Sequence, residues 1–146
     1  MPSSSPPPTP PPLMRVVETA LYVEDLPRAA AFYRDVLGLR VMGAGERLVS
    51  LDAGPGSVLL LFQRGATAQG FRFPGGWIPP HDGAGQVHFA FGVEREQLAA
   101  WERHLEARGV PIESRVDWES GGASLYFRDP DGHSVELVTP RTWENF

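Results

Sequence analysis

The two halves of the 146-residue sequence predict the same order of elements, which is a strand, a helix and then three strands. The segment 18–23 aligns with the segment 88–93, and a glycine ends each predicted helix, at Gly38 and Gly109. This doubling indicates an internal duplication of a βαβββ unit. One such unit is too small to bury a core, so two must pair. The sequence therefore predicts an α+β fold in which two paired βαβββ modules form a curved, cup-like mixed sheet with helices on its outer face.

The predicted domain organisation follows from this repeat. Residues 1–14 are rich in proline and are predicted to be a disordered tail rather than a docking peptide, since basic flanking residues are absent. Residues 15–140 form a single domain, with a first module at about 15–63, a loop at 64–85 and a second module at about 86–140. A short C-terminal tail, 141–146, completes the chain, and we expect its aromatic residues to pack on a neighbouring surface.

Bulk composition excludes several classes of protein. The net charge of −5 and the absence of a basic block argue against nucleic-acid binding. The chain has no cysteine, so disulfides and thiolate metal sites are impossible. Neither a membrane-length apolar run nor a secretory leader is present, and a cytoplasmic protein is expected.

Strand parity predicts which side chains face the inside of the cup. In each module, the more apolar side of the first strand is expected to pack under the helices, with Leu21 and Val23 in module 1 and Phe89 and Phe91 in module 2. The opposite side then carries Glu18 and the equivalent His88 into the concavity.

The last hairpin places a carboxylate in the same cup. Asp-Pro-Asp-Gly at 129–132 is a tight turn with a bulge at Gly132, which pairs Asp129 with His133. Counting back from that pair sets Tyr126 opposite Glu136. Because a half-buried strand rarely carries an unpaired charge on its inner side, Glu136 is expected to hold a partner. The repeat aligns Glu136 with a position near Leu60.

These motifs resemble the vicinal oxygen chelate superfamily, which includes glyoxalase I, extradiol dioxygenases, and fosfomycin- and bleomycin-resistance proteins. The resemblance covers about residues 15–140, and rests on the paired modules, Phe-Tyr-Arg-Asp-Val-Leu-Gly-Leu at 32–39 and Asp-Pro-Asp-Gly-His-x-x-Glu-Leu at 129–137. It implies that Glu18, His88 and Glu136 are metal ligands, that Glu136 is also catalytic, and that Tyr126 faces the substrate. One histidine with two carboxylates departs from the two-histidine triad of the iron dioxygenases, and Leu60 cannot serve as a fourth glyoxalase ligand.

A divalent cation would relieve the repulsion between the two glutamates in the cup. Nitrogen and oxygen ligands suit Zn²⁺, Mn²⁺, Fe²⁺, Co²⁺ or Ni²⁺ alike, so the sequence leaves the metal open. In the loop, His81 is a candidate acid or base, an additional ligand or a solvent-facing residue. Candidate substrate-binding aromatic residues are Tyr22, Phe71, Trp77 and Tyr126.

The resemblance implies a metal-dependent enzyme, a lyase, isomerase or dioxygenase, that acts on a small oxygenated organic substrate chelated by the metal. The alternative is a non-catalytic dimer that sequesters a small aromatic or cationic compound, as bleomycin-resistance proteins do. Modification of fosfomycin is disfavoured because the cup strands have little of the basic character that a phosphonate needs. A homodimer is expected, and the modules pair either within one chain or across the dimer.

Overall fold

The computed structural model describes residues 5–146; the first four residues of the predicted N-terminal tail lie outside this range. The first half contains β1 Glu18–Val23, α1 Leu26–Ala31, a π-helical turn Phe32–Val36, β2 Val41–Ala44, β3 Leu48–Asp52 and β4 Val58–Gln63. Between the halves lie β5 Phe71–Phe73 and β6 Gly76–Ile78. The second half contains β7 His88–Gly92, a 3₁₀ turn Arg95–Gln97, α2 Leu98–Ala107, β8 Ser114–Asp117, β9 Ala123–Arg128 and β10 Ser134–Val138.

Both halves have the topology that the repeat predicts. The first sheet has the strand order β1-β4-β3-β2 and the second has β7-β10-β9-β8. In each sheet the first and last strands of the module are parallel and the other pairs are antiparallel, so both sheets are mixed. The α+β class with paired βαβββ modules is thereby confirmed. Within residues 5–146 no backbone ladder joins the two four-stranded sheets.

The registers confirm the equivalences between the repeats. Ala20 pairs with Leu60 in the first sheet, and Ala90 pairs with Glu136 in the second. Glu18 and His88 each lie two residues before the paired alanine, so Leu60 is the counterpart of Glu136. The bulged turn also has the predicted register, since Glu136 pairs with Tyr126 and the Asp129 amide donates to the His133 carbonyl over 3.2 Å.

One core joins both halves. The side of each sheet opposite Glu18 and His88 contributes fully buried residues to a single apolar cluster, among them Leu21, Leu61, Phe127 and Val135. Burying both modules against one another removes the apolar surface that neither could cover alone. The candidate site residues therefore lie on the faces that this core leaves outside.

The first helix differs from the continuous α-helix that was predicted. Asp25 caps its N-terminus, with the carboxylate accepting from the Arg28 amide over 3.1 Å. After Ala31 the helix widens into the π-helical turn, and the Leu37 amide bonds to the Phe32 carbonyl five residues earlier. The turn lies at Tyr33, whose side chain is completely buried.

A buried hydrogen-bond network ties the first helix to the last hairpin. The Tyr33 hydroxyl donates to Asp129 Oδ2 over 2.7 Å, and His133 Nδ1 lies 2.7 Å from the same oxygen. Asp129 Oδ1 accepts from the backbone amides of Asp131 and His133. We name Tyr33, Asp129 and His133 the interlock, because these side chains connect the two repeats.

The segment between the repeats is more ordered than the loop that was predicted. Phe71–Phe73 and Gly76–Ile78 pair as a short antiparallel hairpin. Strands of three residues are too short to show an alternating pattern of apolar and polar residues. The glycines and prolines around them are typical of a loop, so the sequence predicts a loop here. Of the C-terminal aromatic residues, Phe146 packs over Gly92, where an added Cβ would lie 2.7 Å from the ring, whereas Trp143 is 68% exposed.

Candidate functional site

His88 and Glu136 meet on the outer face of the second sheet. His88 begins β7, and Glu136 lies on the parallel neighbour β10, where it pairs with Ala90, two residues after His88. Their side chains therefore project from the same face. His88 Nε2 lies 3.2 Å from Glu136 Oε1. The imidazole is half exposed and the carboxylate is almost buried, with side-chain exposures of 50% and 9%.

The other nitrogen of His88 defines its orientation. Nδ1 lies 3.0 Å from the carbonyl oxygen of Ser134, which can only accept, so Nδ1 carries a proton. In a neutral imidazole, Nε2 then directs a lone pair at the Glu136 carboxylate. Two facing lone-pair donors at this distance need a cation or a proton between them. A divalent cation bound by both side chains, or a single proton between them, would satisfy this contact.

Glu136 is held by a neighbouring serine. The Ser124 hydroxyl donates to Glu136 Oε2 over 2.5 Å, and Ser124 is 1% exposed. The indole Nε1 of Trp118 in turn donates to the Ser124 hydroxyl oxygen over 2.8 Å. Sequence reasoning missed both residues, although Ser124 shares strand parity with Tyr126 and could have been assigned to this face.

Tyr126 lies beside the pair, as predicted. Its ring stacks on the His88 ring at a centroid distance of 6.0 Å, and it is the register partner of Glu136. Burial, followed by the negative charge of Glu136, raises the pKa of Tyr126 above its ordinary value. The phenol therefore keeps its proton near neutral pH and is available as a hydrogen-bond donor.

Glu18 is not part of this pair. It is exposed at the start of β1 in the other sheet, and Leu60 occupies the place on β4 that corresponds to Glu136. No group of three His, Cys, Asp or Glu side chains suitable for a metal ion occurs among the described residues of one chain. The single chain thus brings together two of the three predicted ligands.

The first sheet carries a second polar feature on its outer face. The Tyr22 hydroxyl lies 2.6 Å from His81 Nδ1, and the edge of the His81 ring meets Phe62 at a centroid distance of 4.8 Å. Gly83 packs directly on the Tyr22 ring, so the loop lies against this face. Burial, with a smaller contribution from Asp82, raises the pKa of Tyr22. The predicted candidates His81 and Tyr22 therefore form one hydrogen-bonded pair.

The other two predicted pocket residues, Phe71 and Trp77, lie on the short hairpin. They are 50% and 49% exposed, and arginines stack on both rings, Arg47 on Phe71 and Arg72 on Trp77. Their contacts are with this hairpin and these arginines rather than with His88 and Glu136.

The donor set of the His88 pair fits a divalent metal. An imidazole nitrogen and a carboxylate oxygen are ligands that Zn²⁺ and the neighbouring transition metals accept, and both are held by further hydrogen bonds. Catalytic sites of this kind usually have three protein ligands. The described chain supplies two at this point, which leaves room for a third ligand from elsewhere.

Among residues 5–146, no helix has the length and apolar character that a membrane crossing requires.

Known proteins with similar sequence and structure span several chemistries. Glutathione transferase FosA of Serratia marcescens is 32% identical over 117 residues, which cover 80% of this chain and 74% of that protein. Catechol-2,3-dioxygenase of Bacillus subtilis is 28% identical over 128 residues, 85% of this chain but only 42% of the relative. The crystal structure of lactoylglutathione lyase from Agrobacterium tumefaciens superimposes with a TM-score of 0.83 at 35% identity, covering 92% of this chain and 99% of the other.

The family model described as Glyoxalase/Bleomycin resistance protein/Dioxygenase superfamily matches residues 15–137. That range covers the first repeat and nearly all of the second, and it ends one residue after Glu136. The match agrees with the resemblance drawn from the Asp-Pro-Asp-Gly-His hairpin and the paired modules, and it supports a metal-dependent enzyme of this superfamily. Repeat, register and relatives lead to one assignment: the chain belongs to the Glyoxalase/Bleomycin resistance protein/Dioxygenase superfamily.

Proposed function

We propose that the protein is a homodimeric, metal-dependent enzyme that acts on a small organic substrate through two neighbouring oxygens of that substrate. His88 and Glu136 of one subunit, with Glu18 of the second copy, would hold a divalent cation. The observation that carries this proposal is the 3.2 Å approach of His88 Nε2 to Glu136 Oε1 while the Ser134 carbonyl binds Nδ1. The ring is oriented as a ligand, with its free nitrogen directed at a carboxylate.

Exposed apolar residues support the dimer. Val17, next to Glu18, and Val87, next to His88, are 47% and 43% exposed. Ile78 and the aromatic residues of the short hairpin are also about half exposed. A second copy of the chain would cover such exposed apolar side chains. A second copy that covers the outer faces of the two sheets would place its Glu18 opposite His88 and Glu136.

The bound metal would supply Lewis-acid polarisation of the two substrate oxygens. The chain's own residues perform the remaining tasks. Tyr126, which keeps its proton, donates a hydrogen bond to an oxygen that gains negative charge. Glu136, the predicted catalytic residue, and the pair of Tyr22 and His81 are the groups available to accept or return a proton.

The charges of the second sheet favour a substrate without a phosphonate. Arg128 pairs with Glu113 at 2.6 Å, and Arg115 pairs with Glu102. These arginines are therefore neutralised by their own neighbours. A dianionic substrate group needs free cationic donors, which these two residues do not provide. We therefore favour neutral or singly charged oxygenated substrates.

Mixing two inactive variants tests whether the site is shared between subunits. Glu18→Gln and Glu136→Gln homodimers should each lose tight Mn²⁺ binding, since each site lacks one carboxylate. When the two variants are refolded together, half of the dimers are mixed, and each mixed dimer has one intact site if Glu18 acts across the interface. Binding should then recover to about a quarter of the wild-type sites.

The same mixture separates the alternatives. If all three ligands came from one chain, every site in the mixed dimer would carry one substitution, and no binding would return. A sequestering protein of the bleomycin-resistance type would bind its aromatic or cationic ligand equally well after EDTA treatment. Binding or turnover that survives EDTA unchanged would therefore contradict the metal-dependent proposal.

Replacing His81 should separate chemistry from metal binding. We expect His81→Gln to lower kcat by about 10²- to 10⁴-fold, the usual contribution of a general acid or base. Tyr22→Phe removes the hydroxyl that orients the imidazole and should cause a smaller loss. Mn²⁺ affinity should be unchanged in both variants, because neither residue lies beside His88. Steady-state kinetics with glutathione adducts and catechols, with Mn²⁺ titration alongside, are the measurements. Wild-type kcat in His81→Gln would exclude the acid–base role.

A further inference from the structure

A chain of two hydrogen bonds runs from a tryptophan through a serine to the buried carboxylate. Trp118 Nε1 donates to Ser124 Oγ over 2.8 Å, and Ser124 Oγ donates to Glu136 Oε2 over 2.5 Å. The direction is determined by chemistry. An indole N–H can only donate a hydrogen bond. The serine hydroxyl oxygen accepts it, and the single hydroxyl proton then forms the hydrogen bond to the carboxylate.

This arrangement divides the two oxygens of Glu136 between different partners. Oε2 accepts from Ser124, while Oε1 faces His88 Nε2 at 3.2 Å. Ser124 is 1% exposed and Glu136 is 7% exposed, so water does not readily replace either bond. The Trp118 backbone is held as well, because its amide donates to the Gly122 carbonyl and its carbonyl accepts from the Gly121 amide. A tight turn thus supports the indole.

We infer that Trp118 and Ser124 are positioning residues, which hold the Glu136 carboxylate so that only Oε1 is presented beside His88 to a divalent cation. This inference rests on the proposed function of the His88 and Glu136 pair. Trp118 and Ser124 act through Glu136, as outer hydrogen-bond partners of metal ligands do.

We call the hydrogen-bonded chain of Trp118, Ser124 and Glu136 the relay. Metal titration measures how much the relay contributes to metal affinity. Ser124→Ala should weaken Mn²⁺ binding by about 10- to 100-fold, the usual effect of losing such a partner. Ser124→Thr, which keeps the hydroxyl, should restore most of the affinity. Trp118→Phe should weaken binding less, because the serine can still donate. Ser120→Ala and Trp143→Phe are matched controls, since both side chains lie on exposed residues outside the relay, and both should bind Mn²⁺ as the wild type does.

A second readout needs no metal. The indole N–H resonance of Trp118 is identified by its loss in Trp118→Phe, and it should shift in metal-free Ser124→Ala and Glu136→Gln but not in Ser120→Ala. An unmoved resonance in Ser124→Ala, or wild-type Mn²⁺ affinity in that variant, would overturn the relay. A wild type that fails to bind Mn²⁺ while the resonance moves would overturn the proposed function and support the hydrogen-bond relay.

Discussion

Glu136→Gln is expected to lower Mn²⁺ affinity by more than about 100-fold, beyond the 10- to 100-fold loss typical of an outer hydrogen-bond partner. The amide has nearly the same size and can still accept from Ser124, so the change removes the charge and leaves the shape. A neutral oxygen is a much weaker ligand for a divalent cation than a carboxylate. Isothermal titration of the chelator-treated protein with Mn²⁺ measures the loss.

The fold of this variant should survive. Glu136 is nearly buried, and a buried carboxylate without a bound cation is costly. Circular dichroism of the metal-free variant should therefore match that of the wild type. Glu96→Gln is a suitable control, because Glu96 is exposed and lies on the 3₁₀ turn, outside the two strands that carry the pair. Equal Mn²⁺ affinity in Glu136→Gln and Glu96→Gln would contradict the assignment of Glu136 as a ligand.

Asp129→Asn is expected to destabilise the protein by about 3–5 kcal/mol, the cost of removing one partner from a buried charged pair. Asp129 is 5% exposed, and its carboxylate accepts hydrogen bonds from the Tyr33 hydroxyl and from two backbone amides. His133 Nδ1 also lies 2.7 Å from Asp129 Oδ2. An amide presents both an acceptor and a donor, so one of its ends would face groups that themselves donate. Urea unfolding in EDTA measures the change. Asp117→Asn, at an exposed position on β8, should change the free energy of unfolding little.

The loss should depend on pH in a defined direction. Burial alone would raise the pKa of Asp129, but the hydrogen bonds from His133 and Tyr33, with the charge of His133, outweigh it and lower that pKa below its ordinary value. A carboxyl group with a lowered pKa in the folded state stabilises the fold above the pKa of the unfolded chain, near 4. This stabilisation disappears as pH falls from about 4 through the folded pKa. The difference between wild type and Asp129→Asn should therefore be full at neutral pH and shrink below about pH 4; a constant difference would contradict this account.

Local patterns predicted the registers on which the site depends. Aligning Glu18 with His88 made Leu60 the equivalent of Glu136 in the other repeat, and the strand registers agree with this equivalence. Counting the bulge at Gly132 paired Tyr126 with Glu136, and the structure has this pair. These relations are short-range consequences of strand pairing and turn geometry. They need no knowledge of how distant parts of the chain pack.

Features set by tertiary packing were beyond the sequence. Glu18 lies on the first sheet and His88 on the second. Strand parity does not say how far apart these two faces lie, because the packing of one module on the other depends on the shared core. The widened helical turn at Tyr33 and the short hairpin at Phe71 have no periodic signature. Ser124 is a single serine in an apolar strand, and its role depends on the indole of Trp118, which belongs to a turn.

The interlock bears on the history of the gene. Tyr33 comes from the first repeat and Asp129 from the second, whereas the second helix reads Trp101-Glu102-Arg103-His104 around the place that matches Tyr33. A tandem duplication starts with two interchangeable copies. A copy of the second helix placed in the first position would lack the phenol that donates to the buried Asp129. The two halves of the present chain are therefore not interchangeable.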